Sequence, residues 1–270
     1  MHYSLLSKFL LSWAINIAQQ PVVPASDTLY LYRSIKVEAV YATADQLDNT
    51  YVVTTENSVE KFDRTGRRAA YYTNRRLGDA SYIDATNPMK ILVWYPDFQT
   101  VVFLDRTMNE MGRLKFSEIG FTSVRAIAMA SDGNIWLFDD AISKAVKLNA
   151  EGAAMFQSQP LNLQFKDGFS PTRIRDNGTW VYLSDPQNGL CTLDQYANLI
   201  QSNAFLKTAD FDLTGEWLVF TASNLMHLEN TLVRQHQSIS LPVTTGAWYA
   251  SSFGLFHAEA GNLDMYRWVK

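Results

Sequence analysis

From residue 28 onward, apolar and polar residues alternate in short runs separated by turn residues, and helical spacing of apolar positions is nearly absent. This alternation predicts half-buried antiparallel strands. The best-defined pairs of strands cover residues 49–62, 90–104, 134–148, 179–193, 216–228 and 253–268, and their starts lie 37 to 45 residues apart. A period of that length fits a sheet of four short strands repeated around an axis. The pattern therefore predicts an all-β, six-bladed β-propeller of four-stranded antiparallel blades over residues 27–270.

The turns support this register. After the third strand of a unit come Asp63-Arg64-Thr65-Gly66, Asp105-Arg106, Asn149-Ala150-Glu151-Gly152 and Asp194-Gln195. Asp or Asn can hydrogen-bond its own backbone two residues on, and Gly supplies the positive φ of tight hairpins. The strands preceding the pairs are rich in small residues, as at 39–44, 125–130 and 247–251. They are assigned to the innermost positions, where bulky side chains of converging strands would collide. The last unit has only three strands, while a spare one, 28–33, precedes the first. Pairing of 28–34 with 262–269 would close the ring with the N-terminal strand and remove an exposed edge.

Composition narrows the function classes. The chain of 270 residues is 47% hydrophobic and 13% aromatic, enough for a substantial core, and its formal net charge is −4. That charge argues against a general polyanion binder, since nucleic-acid affinity rests on cationic side chains displacing counterions. Arg64, Arg67, Arg68, Arg75 and Arg76 nevertheless cluster in the first repeat. One cysteine, Cys191, excludes an intramolecular disulfide and a four-thiolate zinc site. Residues 1–26 differ from the rest: Lys8 is followed by an apolar run over 9–18, too short to span a bilayer, with small residues at Ala18 and Ala25. The segment reads as a signal peptide, giving a periplasmic or secreted product, the alternative being a flexible cytoplasmic N-terminus. No cysteine follows the run to carry a lipid anchor, and no later segment resembles a transmembrane span.

Asp132-Gly133-Asn134-Ile135-Trp136-Leu137-Phe138-Asp139, together with 148–152, resembles the repeat of NHL-type six-bladed propellers. It is less similar to gluconolactonase-like and streptogramin-lyase-like propellers. The resemblance implies the fold, and a fold alone does not carry a function. In enzymatic propellers of these groups, chemistry lies where loops converge at one end of the axis. The loops between second and third strands are 55–57, 95–99, 139–144, 184–189, 222–224 and 259–262. From them Asp139, Asp140, Asp185 and Glu259 are the candidate ligands for Ca2+ or another divalent cation. The lactonase-like Glu, Asn and Asp set finds no match. A streptogramin-lyase-like enzyme would need a paired histidine base, for which His227 and His257 are the candidates. No nucleophile elbow, phosphate loop or His-Glu-x-x-His pair is present.

Binding is the other use of that face. Tyr95 and Phe98 flank Pro96 in an expected loop, and Arg75 and Arg76 enter the second blade beside it. Aromatics with arginine are the mixture enriched at interface centres. The expectation is a non-catalytic propeller that binds a protein or other macromolecular partner, as an accessory or assembly component of a bacterial cell envelope. The alternative is a metal-assisted lactonase-like hydrolase or lyase with its site at the axis.

Overall fold

The computed structural model describes residues 29–230 and 233–268. The N-terminal segment read as a signal peptide lies outside the described residues. β1 (Leu29–Lys36) precedes the first blade, which consists of β2 (Ala39–Ala44), β3 (Thr50–Thr54), β4 (Val59–Phe62) and β5 (Arg68–Tyr72). Blade 2 holds β6 (Tyr82–Asp84), β7 (Ile91–Tyr95), β8 (Thr100–Leu104) and β9 (Glu110–Lys115). Blade 3 holds β10 (Val124–Met129), β11 (Ile135–Asp139), β12 (Lys144–Leu148) and β13 (Ala154–Gln157). Blade 4 follows with β14 (Arg173–Asp176), β15 (Trp180–Asp185), β16 (Gly189–Asp194) and β17 (Leu199–Asn203). Blade 5 holds β18 (Asp212–Thr214), β19 (Trp217–Ala222), β20 (Leu225–Asn230) and β21 (Gln235–Ser240). Blade 6 is β22 (Ala247–Ser251), β23 (Gly254–Glu259) and β24 (Asn262–Trp268), with β1 as its outermost strand. β1 runs antiparallel to β24, from Leu29 opposite Trp268 to Lys36 opposite Asn262.

Alternation is weaker than the sequence pattern suggests. Ile91–Tyr95, Thr100–Leu104 and Ile135–Asp139 are buried at every position, whereas outermost β9 is exposed over nearly its whole length. Both faces of a central strand meet a neighbouring blade, so such strands bury apolar residues on each side. The core is accordingly a ring of layers between blades. One spans blades 1 to 3, and others join blade 3 to 4, 4 to 5, 5 to 6 and 6 to 1. Trp136, wholly buried, belongs to the layer between blades 3 and 4, and its Nε1 donates to Asp176 Oδ2 at 3.0 Å.

The recurrent Asp and Asn close the hairpins between third and fourth strands. Asp63 Oδ1 accepts from the backbone N–H of Thr65 and Arg67, and Asp105 Oδ1 from Thr107 and Asn109. Asn149 Oδ1 accepts from Glu151 and Ala153, and Asp194 Oδ1 from Tyr196 and Asn198. One side-chain oxygen thus satisfies two donors in each of four blades. Antiparallel order then puts the connections between blades and the hairpins between second and third strands at one end of the axis, here the upper face. The remaining hairpins form the lower face.

Candidate functional site

Arg173 and Arg175 lie two apart on β14 and so share one side of that strand. Asp210 and Asp212 do the same at the start of β18, as do Tyr82 and Asp84 on β6. These side chains meet at the axis, where residues of non-adjacent blades touch. The Arg173 guanidinium lies 4.9 Å from the ring centroid of Tyr41 in blade 1 and 4.2 Å from that of Tyr82 in blade 2. It pairs with Asp210. Arg175 donates from Nε to Asp212 Oδ1 at 2.8 Å and from Nη1 to Tyr82 Oη, and lies 3.5 Å from Asp84 Oδ2. Asp84 also accepts from the backbone N–H of Met129 at 3.0 Å and of Thr86 at 3.0 Å. Asp212 Oδ2 accepts from Ser252 N–H in blade 6 at 3.2 Å.

This corrects one expectation from the sequence. The innermost strands are those assigned, but three of them carry Tyr, Arg and Asp into the centre. They fit because β10 and β22 contribute small residues, including Ala126, Ala128 and Ala250, and leave the room.

Burial and hydrogen-bonding or oppositely charged neighbours act in opposite directions at the centre. Burial disfavours the charge of Arg173 and Arg175, but Asp210 beside the first and Asp212 beside the second outweigh it and hold both above the ordinary arginine value. Burial raises the Asp84 carboxyl despite the opposing hydrogen bonds from Thr86 and Met129. Burial likewise pushes the Tyr41 phenol up to about 12. Two guanidinium groups thus face three carboxylates at the axis. Above it is a cavity of about 190 Å³ lined by Tyr82, Trp94, Pro96, Arg125 and Arg173, among others. Below it is one of about 150 Å³ lined by Thr43, Asp84, Arg175, Asp212 and Phe253, among others. Both fall short of the roughly 300 Å³ at which small-molecule sites begin.

The four candidate metal ligands do not converge. Asp140 accepts from Ser170 Oγ at 2.9 Å, and Asp185 from Ser170 N–H at 2.7 Å, in the seam between blades 3 and 4. Asp139 Oδ1 accepts from Ala141 N–H, and Asp185 takes further bonds from Gln187 and Asn188. Glu259 stands across the ring, beside a groove of about 290 Å³ between blades 6 and 1 that Glu38 also lines. The carboxylates of 139, 140 and 185 take turn and seam hydrogen bonds away from Glu259. Among the described residues no three His, Cys, Asp or Glu side chains are placed to hold a metal.

The histidines also pair differently from the expectation. His257 is buried, donates from Nε2 to the Thr245 carbonyl at 2.8 Å and packs on Trp248. His227 instead neighbours His236 in the same blade, with its Nδ1 3.5 Å from His236 Nε2.

The binding candidates divide. Phe98 is 51% exposed on the upper face, whereas Tyr95 is 1% exposed and packed in the core of blades 1 to 3. Tyr95 ends β7 rather than starting the loop, and its ring cannot serve as an exposed anchor. Arg75 and Arg76 are exposed on the same face as Phe98. Their loop abuts the Phe98 hairpin at Gly78 (φ +73°), where an added Cβ would lie 2.8 Å from Asp97 Oδ2. Asn57 joins them through its Nδ2, 2.6 Å from the Gly78 carbonyl. The run of arginines is therefore no single patch: Arg64 and Arg67 sit in a lower hairpin, and β5 carries the chain from there to Arg75 and Arg76. Sequence reasoning missed Leu163 and Phe205, which are 77% and 96% exposed in upper-face connections.

No protein-family model matches the sequence, and no curated protein sequence does either. The fold is shared with solved structures at low identity. A streptogramin B lyase structure is 13% identical, with a TM-score of 0.59 over 90% of this chain and 88% of that one. The Neurospora crassa Pan2 WD40 domain is 10% identical, with a TM-score of 0.61 over 92% and 97%. The virginiamycin B lyase of Staphylococcus aureus is 7% identical, with a TM-score of 0.62 over 89% and 100%. The chain is thus similar in fold both to lyases and to a WD40 domain. Among the described residues no helix is long and apolar enough to cross a membrane.

Proposed function

We propose that this chain is a non-catalytic propeller that binds a protein partner across its upper face, as an accessory or assembly component of a bacterial cell envelope. The repeat is read as NHL-like on residues 132–152, and export rests on the composition of residues 1–26. The observation that carries the binding reading is the exposure of Phe98, Leu163 and Phe205, at 51%, 77% and 96%, on the face that also presents Arg75 and Arg76. Exposed aromatic and aliphatic side chains beside exposed arginines supply the residue types enriched where partners bind. Each contributes about 1.5–3 kcal/mol when fully buried. The tightly paired axis, with cavities of about 190 and 150 Å³ at its two ends, supports the same reading over catalysis.

The test is affinity capture of the full chain from its native host, comparing wild type, Phe98→Ala/Phe205→Ala and the lower-face control Leu47→Ala/Met89→Ala. A stoichiometric partner lost only with the upper-face pair supports the proposal. Equal recovery by all three proteins, or turnover of a lactone or streptogramin substrate by the isolated chain, would sink it.

A further inference from the structure

His227 on β20 and His236 on β21 lie on the side of blade 5 that faces blade 4, outside Phe220, on which His227 stacks at 4.9 Å. Their ring centroids are 5.2 Å apart, but His227 Nδ1 and His236 Nε2 are only 3.5 Å apart, so those nitrogens are near edges of the two rings. Ser238 Oγ lies 2.8 Å from His236 Nε2 and 3.3 Å from His227 Nδ1. Strand register explains the convergence: His227 stands opposite Ser238 and Glu229 opposite His236, on one face of the β20–β21 pair.

The outer hydrogen bonds assign the tautomers of the neutral rings. His227 Nε2 is 3.2 Å from the Ala222 carbonyl, which only accepts, so that nitrogen carries a proton. His236 Nδ1 is 2.9 Å from Glu229 Oε2 and likewise donates. In the neutral rings, the two nitrogens that approach each other are both bare lone pairs. The one hydroxyl proton of Ser238 can serve only one of them.

We propose that His227 Nδ1, His236 Nε2 and Ser238 Oγ form a binding site for a divalent transition-metal ion of the zinc class. The three atoms form a triangle of sides 3.5, 2.8 and 3.3 Å. The circle through them has a radius of about 1.9 Å, so a point roughly 0.8 Å off their plane lies about 2.0–2.1 Å from all three, the length of a zinc–nitrogen bond. The N–metal–N angle is then about 115–120°, while the 2.8 and 3.3 Å edges subtend about 86° and 107°, a distorted tetrahedral set. Imidazole selects this class of ion over calcium or magnesium. Each histidine already has the outer partner that orients metal-binding imidazoles, a carboxylate for one and a backbone carbonyl for the other. His236 is 40% exposed, which leaves an approach for the ion and a solvent molecule as fourth ligand. The site is independent of the upper-face reading and would clip β20 to β21.

The test uses the full-length, untagged chain. Cys191 is buried and does not compete for the ion. Zinc titrated calorimetrically at neutral pH is expected to bind one ion per chain, raise the melting temperature and shift the imidazole NMR signals of His227 and His236. His236→Ala should weaken binding at least tenfold. Glu229→Gln, which keeps the fold and the shape but weakens the outer hydrogen bond, should weaken it about 10- to 100-fold. Cobalt(II) should give the intense visible bands of a tetrahedral site. Binding unchanged by His236→Ala, or imidazole signals unmoved at saturating zinc, overturns the proposal. So does labelling of Ser238 by a fluorophosphonate that zinc fails to block, which would make Glu229, His236 and Ser238 a hydrolytic triad instead.

Discussion

Arg175→Met isolates what holds the axis together. The substitution keeps an unbranched apolar stem and removes the donors to Asp212 (2.8 Å), Tyr82 and Asp84 (3.5 Å), leaving the buried Asp212 carboxylate without its cation. Arg175, Asp84 and Asp212 have side chains 5%, 1% and 8% exposed, so the carboxylate left behind is poorly hydrated, reached by water only through the cavity of about 150 Å³ below it. Removing one member of a buried ion pair costs about 3–5 kcal/mol, mostly from the stranded charge. At about 2–4 °C per kcal/mol for a domain of this size, the melting temperature should fall by roughly 6–20 °C. The assay is thermal unfolding at neutral pH followed by circular dichroism. The control is Arg68→Ala, whose side chain is 57% exposed beside Glu60. An exposed pair of that kind contributes about 0.2–1 kcal/mol. The double variant Arg175→Met/Asp212→Leu removes both charges and should recover part of the loss, because the penalty belongs to the unpaired carboxylate. A fall for Arg175→Met no larger than for Arg68→Ala, or a double variant less stable than the sum of its parts, would refute the reasoning.

Deleting residues 27–35 should destabilise the whole ring, since β24 loses its partner strand and Leu29 and Ile35, each buried, leave the layers between blades. Their burial alone amounts to about 3–6 kcal/mol; normal thermal stability of the truncated chain would count against closure by β1. Hydrogen bonds from Thr65 and Arg67 lower the Asp63 pKa, and those from Thr107 and Asn109 lower that of Asp105. Burial opposes a similar lowering at Asp194, where the bonds from Asn198 and Tyr196 prevail. Carboxylates depressed in the folded state stabilise it above their unfolded pKa of about 3.9, and that contribution disappears as pH falls through the lower folded value. Replacing all three by Asn, the residue blade 3 already uses at 149, should preserve the turns and flatten the acid limb of urea stability between about pH 5 and 2; an unchanged acid limb would refute the assignment. Burial pushes the Cys191 thiol up to about 12, so iodoacetamide at mildly alkaline pH should label it only after unfolding, and fast labelling of the native chain would contradict its place in the layer between blades 3 and 4.

The fold was legible because its punctuation is local. Asp63, Asp105, Asn149 and Asp194 each bond backbone within four residues, so the third hairpin of a blade is written where it forms. Blade count followed from the period, since each unit must hold four short strands. Burial was less legible. Alternation marks a strand with one wet face, and β7, β8 and β11 have none, because both faces meet other blades. Nor did the small residues of 39–44, 125–130 and 247–251 extend to all six innermost strands. A ring needs only enough small residues to seat its large ones, and β10 and β22 leave the space that Tyr82, Arg173 and Arg175 fill.

Sites were harder to read for the converse reason: their partners are set by register and ring position rather than by nearness in sequence. Asp139, Asp140 and Asp185 carry the same side chain as a calcium ligand, but an Asp beside a turn is bound first by the N–H groups next to it, as Ala141 and Gln187 show. Tyr95 and Phe98 are three residues apart, and one strand boundary between them sends the first into the core and leaves the second in water. Glu229, His236, Ser238 and His227 reverse the lesson. Nothing in their spacing marks them, since the two histidines stand nine positions apart and form no motif. The hairpin register that sets His227 opposite Ser238 and Glu229 opposite His236 brings the four together on one face. A single-residue slip of β21 would turn His236 and Ser238 to the other face and scatter the cluster. The same register buries Ile239 against blade 6. The apolar layer between blades 5 and 6 is therefore what holds the histidine pair in place, and a variant that loosens Ile239 should weaken metal binding without touching a ligand.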